Sequence, residues 1–488
     1  MANSAKLTEF IRKNCTGLLF MGLIFFVVIF SAATLTTKPK LWMDESVTME
    51  LAHSFSEFGA LDVQIGPGQF SGLSHLLQST GYPLTVILAL AFKFFGYSLV
   101  TERIVMLLLM VVFLTTLFFF GKKIFGKEKA LLSIILVVSF ASFYGSGRTA
   151  VGEIPGLIFL IAGLYFWLSR GAYYWSGLFF GLAMVTKPSV FLLILPAMIL
   201  AFLLERKGFF KKILKIGLGI TPAIAGWAFL VLKDPFAKSV WFSILNYYKN
   251  PFMYMSESLA ANVVNNLTNF FHSTTLIYFG ILFFIIVFGR YWLEDQRLKP
   301  FFNFVIFYGI IAFAYYLRSP GWLRYILIAE ILILSVIPSA LSVIFLRFKE
   351  LVSRIKITGD KLTVIVVLFL VAIQFINLFT AAQIYRSDSA IKTASFINEK
   401  FPEESIGVIN ALGLSVLLES GKKYQSVDLY PIAFMGRDFL LSRAYPEVVI
   451  FSLDEKLSQG EEIVIDNYYE KFVNMNGYEI RVLKENNK

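Results

Sequence analysis

Apolar runs of about 20 residues recur along the first 384 positions, and a helix of that length crosses the hydrocarbon core of a bilayer. Hydrophobic residues make up 57% of the 488 positions and charged residues 16%, against roughly 45–50% and 25% in soluble domains. The chain is therefore predicted to be a mainly α-helical, polytopic membrane bundle of about 11 spans. The candidate spans lie near 16–36, 101–121, 128–145, 151–168, 173–187, 189–204, 211–232, 274–292, 301–317, 322–346 and 362–384.

Basic loops indicate the orientation. When these spans alternate, five Lys- and Arg-rich linkers fall on one side, which should be the cytoplasm. They are EFIRKN, GKKIFGKEK, ERKGFFKK, GRYWLEDQRLK and LRFKELVSRIK. We therefore expect a multi-pass protein of the cell membrane with a cytoplasmic N-terminus. The formal net charge of +11 is then positive-inside bias, and nucleic acid is not an expected partner.

The last hundred residues are a different kind of chain. Residues 386–488 carry 12 Lys and Arg against 16 Asp and Glu, and short strands are predicted in SIGVINA, EVVIFSL and YEIRVL. Helices are predicted in SAIKTASFINEKF and YYEKFVNMNG. We predict a transmembrane domain over 1–384 and a small extracytoplasmic α/β domain over 385–488. The single cysteine, Cys15, excludes a disulfide within the chain and a cysteine-based metal cluster.

Two adjacent carboxylates, Asp44 and Glu45, follow directly on the first span. The spacing of Val47, Leu51, Phe55 and Phe58 predicts an amphipathic helix over 44–58, lying flat on the outer surface. Asp is also a preferred N-cap, so the pair could simply start that helix. Capping does not exclude catalysis, because it uses only part of the acceptor capacity of a carboxylate.

Further charges are predicted to reach the same membrane depth on the outer side. Each has a structural alternative: Arg103 could snorkel to the headgroups, and Glu153 could simply pair with Arg148. Together, cations beside an apolar corridor suit a phosphate on a long lipid tail, and a carboxylate suits removal of a proton from a hydroxyl. The predicted site residues are Asp44, Glu45, Arg103, Arg148, Glu153, Lys187 and Arg324.

Six stretches, in this order and spacing, resemble the GT-C glycosyltransferases, most of all the family 39 branch of protein O-mannosyltransferases and lipid A aminoarabinose transferases. They cover most of residues 16–346. They are WMDES, GYPLTVILALAFKFFG, TERIVMLLL, GRTAVGEIP, GLFFGLAMVTKPSVFLLILPAMIL and GWLRYILIAEILIL. The chain departs from that pattern at TGYPL, where many relatives have His-Pro-Pro.

The resemblance implies roles for individual residues. Asp44 would be the catalytic base, and Glu45 would orient the acceptor or the sugar. Arg103 would hold the lipid phosphate, with Glu153 matching the acidic residue after the second outer loop and Arg148 nearby. Lys187 and Arg324 would line the donor cavity.

The predicted function is transfer of a sugar, with inversion, from a polyprenyl-phosphate donor to an extracytoplasmic acceptor. No cofactor is predicted, although carboxylates can hold Mg²⁺. The alternative is a lipid-linked sugar flippase or secondary transporter, whose ionisable groups should instead lie near the membrane midplane. A third hypothesis, a membrane scaffold, does not explain why both signs of charge gather on one face. The sequence names neither the sugar nor the acceptor.

Overall fold

The computed structural model confirms a polytopic helical bundle followed by a small α/β unit. It describes residues 2–66, 69–72, 74–77, 80–205, 208–232, 236–249, 258–348, 358–384, 387–409, 411–418, 424–426, 445–453, 457 and 459–485. Among these residues, nine helical segments are long and apolar enough to cross a membrane. A tenth would be the pair Lys127–Ser139 and Ala141–Gly147, which is bent by 71°. The predicted span near 173–187 is a helix of only 14 residues, Tyr173–Thr186. The total of 11 spans and their orientation therefore remain predictions.

The helices are numbered here in chain order. They are α1 Ala2–Ala32, α2 Met43–Phe58, α3 Ser74–Leu77, α4 Tyr82–Phe95, α5 Leu99–Ile124, α6 Lys127–Ser139, α7 Ala141–Gly147, α8 Glu153–Tyr165, α9 Tyr173–Thr186, α10 Pro188–Phe191, α11 Ile194–Glu205, α12 Phe209–Val231, α13 Lys238–Lys249, α14 Leu259–His272, α15 Thr274–Trp292, α16 Lys299–Arg318, α17 Leu327–Arg347, α18 Gly359–Ile384, α19 Ser389–Lys400, α20 Leu412–Ser415 and α21 Gln459–Tyr468. A π-turn, Phe166–Arg170, extends α8, and a 3₁₀ turn, Leu323–Ile326, precedes α17.

Helix α17 forms the centre of the bundle. Its residues from Leu327 to Ser342 are all buried, as expected of a helix that is apolar on every side. It packs against α6, α15, α16 and α18. The peripheral helices keep one apolar face exposed, as Leu108 of α5 and Phe229 of α12 show. Such exposed apolar faces suit contact with lipid.

Helix α2 is confirmed, but neighbouring elements enclose it, and that it lies flat on the outer surface stays a prediction. Nearly all of Glu45–Ala52 is buried, because α4 covers one side and the C-terminal unit another. Val416 of that unit belongs to the same apolar cluster as Met49 and Leu84. Only the end of the predicted stripe, Phe58, is exposed. The helix that carries the acidic pair is thus held on several sides.

A close backbone contact fixes the start of α4 against the junction of α9 and α10. Gly81 donates its N–H to the carbonyl oxygen of Thr186 at 2.8 Å. A Cβ at position 81 would lie 1.8 Å from the carbonyl oxygen of Val185, so a side chain there cannot be accommodated without moving the backbone. This contact brings the neighbouring Lys187 next to the first outer loop.

Strands β1 Gln64–Gly66 and β2 Gln69–Phe70 form a small pair between α2 and α3. The C-terminal unit contains a separate five-stranded sheet of order β4-β3-β5-β7-β6. Strands β3 Ile406–Ile409, β5 Val448–Ser452 and β7 Tyr478–Leu483 match the predicted ones. Strand β4, Tyr424–Ser426, was not predicted. Strands β3, β4 and β5 run parallel, whereas β7 is antiparallel to β5 and β6.

The predicted helix in YYEKFVNMNG is wrong. Residues Tyr469–Met475 form strand β6, paired with β7 in a hairpin. Asn476 and Gly477 form its tight turn with φ of 52° and 86°, the left-handed values that an Asn-Gly hairpin turn adopts. The last long apolar helix ends at Ile384, where the domain boundary is predicted, but the division at 384/385 itself stays a prediction.

Candidate active site

Asp44 forms an ion pair with Arg324 at one end of the bundle, which is the end predicted to face outward. Trp42, not Asp44, occupies the N-cap of α2, and Asp44 lies in the first turn. The carboxylate is therefore free to face another element rather than the end of its own helix. The 3₁₀ turn before α17 places Arg324 opposite it. The two side chains retain 15% and 17% exposure, so this pair can be reached from outside.

Aromatic rings hold the Arg324 guanidinium in place. Its carbon lies 4.6 Å from the ring centroid of Trp42, 4.7 Å from that of Trp322 and 5.4 Å from that of Tyr325. Stacking of this kind suits a guanidinium, which is planar and weakly hydrated. Its buried Nε has no hydrogen-bond partner among the described residues. Arg324 therefore keeps a donor available while it pairs with Asp44.

A second acid and a second cation lie close to this pair. Glu153 begins α8, as predicted, and Lys187 lies in the break between α9 and α10. Both are buried. Gly152, just before Glu153, packs so closely that an added Cβ would lie 3.4 Å from the Cβ of Lys187. Glu153 is thus placed beside Lys187, and a Glu153–Arg148 ion pair is absent from the described residues.

The electrostatic environment keeps Asp44 ionised. Burial acts to raise the pKa of its carboxyl, but the charges of Arg324 and Lys187 outweigh this and hold that pKa below its usual value. Asp44 is therefore a carboxylate at neutral pH. A carboxylate in this state can accept a proton or orient a hydroxyl group.

Arg103 and Glu45 form a buried ion pair with each other. Both side chains are fully buried. Arg103 Nε lies 2.6 Å from Glu45 Oε1, and Nη2 donates to Glu45 Oε2 at 2.8 Å. Its remaining donors reach the carbonyl oxygens of Leu35, Lys38 and Pro39 at 3.3–3.5 Å.

Arg103 and Glu45 are thus paired with each other, and contact of either residue with substrate stays a prediction. The guanidinium of Arg103 bonds to Glu45 and to backbone carbonyl groups. It therefore links α2 and residues 35–39 to α5. A second carboxylate, Glu102, lies 3.2 Å from Arg103 Nε. Sequence analysis missed the pairing of Arg103 with Glu45 because it treats Arg103 only as the first charge of a membrane span. A bidentate pair depends on which helix packs against that span, and the sequence pattern does not show this.

A cavity of about 390 Å³ adjoins the Asp44–Arg324 pair. Its wall includes four cations, Lys38, Lys40, Arg148 and Arg324, together with Trp42 and apolar groups from α1, α7 and α18. The described residues that line it include no carboxylate. Arg148 is held by Thr34, whose Oγ1 accepts from Nη1 at 2.8 Å. The chemistry of this cavity is that of an anion site with an apolar flank.

Lys38 and Lys40 were not among the predicted site residues. Lys38 is buried, and burial together with the nearby charge of Arg148 lowers its pKa to about 8. A signal was present in TTKPKLW: two lysines lie directly after the first span on the side predicted to be external, where cations run against the positive-inside bias. No group of three or more metal-ligating side chains occurs in the described residues, and the absence of a cofactor stays a prediction.

Comparison with solved structures identifies the fold. ArnT from Cupriavidus metallidurans, bound to undecaprenyl phosphate, superposes with a TM-score of 0.64 at 12% identity, over 97% of this chain and 99% of that one. Archaeal oligosaccharyltransferase AglB from Archaeoglobus fulgidus, in complex with an inhibitory peptide and a dolichol-phosphate, gives 0.56 at 12% identity, over 97% and 75%. Both are GT-C glycosyltransferases.

The sequence comparison points the same way. No curated protein matches the chain in sequence. Residues 83–231, which run from the start of α4 to the end of α12, match the family model of dolichyl-phosphate-mannose-protein mannosyltransferase. That segment contains Arg103, Arg148, Glu153 and Lys187. The chain therefore has the GT-C fold, and within it residues 83–231 are similar to the protein-mannosyltransferase family model.

Proposed function

We propose that this protein is a membrane glycosyltransferase that moves a sugar from a polyprenyl-phosphate carrier to an acceptor hydroxyl outside the cytoplasm. One observation carries the proposal: Arg324 belongs both to the ion pair of Asp44 and to the wall of the cation-lined cavity. A phosphate in the cavity and a hydroxyl at Asp44 would therefore lie on either side of one guanidinium. The anomeric carbon of a sugar phosphate would lie between them.

The reaction is a single displacement with inversion. The acceptor oxygen attacks the anomeric carbon and forms the new glycosidic bond, while the bond from that carbon to the phosphate oxygen breaks. Asp44 takes the proton of the acceptor hydroxyl. The lipid phosphate leaves with the electron pair of the broken bond, and Lys38, Lys40 and Arg148 stabilise its added negative charge.

The other predicted residues have supporting roles. Glu153 and Lys187 flank the Asp44–Arg324 pair and would contact the sugar or the acceptor. Glu45 and Arg103 are positioning residues, because their buried bidentate pair fixes α2, and with it Asp44, against α5. No step of this reaction is assigned to a metal or a cofactor.

Features of the neighbours support the choice of donor. The ArnT structure contains undecaprenyl phosphate and the AglB structure a dolichol-phosphate. The cavity described here has the elements that such a carrier needs, since cations surround one part of it and Phe30, Leu378 and Ala381 line another. The location that follows is the cell membrane, with the site on the extracytoplasmic side.

The test compares cells that carry the gene with cells from which it is deleted. Mass spectrometry of envelope lipids, glycans and proteins should show one class of molecule that loses a single sugar in the deletion. The wild-type gene should restore this sugar and an Asp44→Asn gene should not. Asp360→Asn is a matched control, because Asp360 is an exposed carboxylate at the start of α18, at the other end of the helix that supplies Ala381 to the cavity.

Normal glycosylation with Asp44→Asn, at normal protein levels, would refute the role of Asp44. If the purified protein moved a lipid-linked sugar from one leaflet of a vesicle membrane to the other without breaking the sugar–phosphate bond, this result would favour the flippase alternative.

A further inference from the structure

A second cavity, of about 570 Å³, lies between α5 and the end of α8. Thr115, Thr116 and Phe119 of α5 line one wall, and Ala162 and Phe166 line the other. The rest of the lining comes from Phe120, Tyr165 and two lysines, Lys122 and Lys123. Arg103 and Lys122 are 19 residues apart on the same helix, which places about 29 Å of helix between them. This cavity is therefore at the opposite end of the bundle from the candidate active site.

The charge of this cavity is one-sided. Lys122 and Lys123 are both exposed, and the ion pairs of the described residues include neither of them. They follow a long apolar helix, so their ammonium groups lie where a span of this length reaches the headgroups. Two unpaired cations at that depth attract a negative charge.

The walls next to the lysines are suited to hydrocarbon. Phe119 is 58% exposed, and Phe166 stacks on Phe179 beside it with ring centroids 5.4 Å apart. The hydroxyls of Thr115 and Thr116 donate to the carbonyl oxygens one turn back, each at 2.8 Å. These threonines therefore present methyl groups and satisfied hydroxyls, which do not oppose an acyl chain. A soluble anion would gain nothing from such walls.

We propose that this cavity binds an anionic glycerophospholipid from the leaflet opposite the candidate active site. The lipid phosphate would lie between Lys122 and Lys123, and the upper part of one acyl chain would lie against Phe119 and Phe166. Basic pockets between membrane helices recognise lipid headgroups in this way, through charge near the surface. The site is separate from the donor cavity, so the proposal does not depend on the proposed reaction.

The test uses the full-length protein in a neutral detergent, titrated with palmitoyl-oleoyl phosphatidylglycerol, the matching phosphatidylcholine or undecaprenyl phosphate. Binding is measured by native mass spectrometry and by the rise in melting temperature, which a ligand of the folded state produces. Lys122→Gln/Lys123→Gln removes the charges. Ala162→Phe keeps the charges but fills the cavity. Lys127→Gln/Lys129→Gln is the control, because it removes two charges from the same basic loop outside the cavity.

Phosphatidylglycerol should bind the wild type more tightly than phosphatidylcholine, and the first two variants should lose this preference. Each lysine should account for about a fivefold change in affinity for phosphatidylglycerol. The affinity of the double variant should therefore fall by more than about tenfold, whereas that of the control should change little. Equal binding of the two phospholipids, or an equal loss in the control, would overturn the proposal. It would also be overturned if only undecaprenyl phosphate binding depended on Lys122 and Lys123.

Discussion

Lys38 should make binding of the lipid phosphate depend on pH in a range where an ordinary lysine would not. Its pKa is lowered to about 8 by burial and by the charge of Arg148. The cation exists below this pKa and is lost as the pH rises through it. About three quarters of the side chains are charged at pH 7.5 and about one tenth at pH 9.0, so affinity should fall up to about eightfold if only the charged form binds.

Binding of undecaprenyl phosphate is the suitable assay, because it needs neither the sugar nor the acceptor. Trp42 lines the cavity, so its fluorescence offers a signal. The phosphate itself reaches its full charge below this range, since the second pKa of a phosphate monoester is about 6. Lys38→Arg should keep its affinity to pH 9.0, because a guanidinium stays charged. If the affinity of the wild type did not change between pH 7.5 and pH 9.0, or if that of Lys38→Arg fell equally, Lys38 would not be a ligand of the lipid phosphate.

Three further substitutions test other parts of the site. Asp44→Asn should lower the transfer rate by about 10²–10⁴-fold, the range of general-base catalysis, while leaving binding of undecaprenyl phosphate nearly intact in the same fluorescence assay. Arg103→Met leaves two buried carboxylates unpaired and should cost about 3–5 kcal/mol, seen as a lower melting temperature in detergent. Gly81→Ala should destabilise as well, because its Cβ would lie 1.8 Å from a backbone oxygen of α9, whereas Gly217→Ala meets nothing within 4 Å and should not.

The sequence predicts the bundle well because spans depend on local composition. Runs of apolar residues predict both ends of α5 and of α8 to within three residues. The errors come from long-range contacts. Helix α2 reads as a surface helix because its apolar stripe is narrow, and only the C-terminal unit, packed on it through Val416, buries its other faces. Strand β6 was predicted as a helix because its apolar and polar residues do not alternate regularly. The Asn-Gly pair that follows it is typical of a hairpin turn and could have indicated the strand.

For the site, the sequence names charged residues that the structure brings together, but it does not show how they are paired. Asp44, Glu153, Lys187 and Arg324 lie at one end of the bundle, and their roles stay predictions. Pattern alone cannot decide which acid takes which cation, because that choice depends on helix packing across hundreds of residues: Arg324 and Asp44 are 280 positions apart. The sequence assigns Arg103 to the lipid phosphate because of the predicted depth of Arg103 in the membrane. In the structure its guanidinium pairs with Glu45.

The charges around the site lead to a final prediction about which form of the lipid binds best. Six cations gather there, of which Lys38, Lys40, Arg148 and Lys187 have no carboxylate partner among the ion pairs of the described residues. Four carboxylates lie in the same cluster, so cations outnumber acids. The complete sets are Lys38, Lys40, Arg103, Arg148, Lys187 and Arg324, and Asp44, Glu45, Glu102 and Glu153.

A sugar-phosphate diester carries one negative charge, and the phosphate monoester released from it carries nearly two. The cavity wall itself carries four cations and, among the described residues, no carboxylate. It therefore suits the departing phosphate better than the bound donor, which is the condition for stabilising a transition state more than a ground state. Undecaprenyl phosphate should accordingly bind more tightly than a neutral-sugar undecaprenyl phosphodiester at pH 7.5. Lys40→Gln, which removes an exposed cation of the cavity, should reduce that difference. Equal affinities for the two lipids in wild type would contradict this account of the charge.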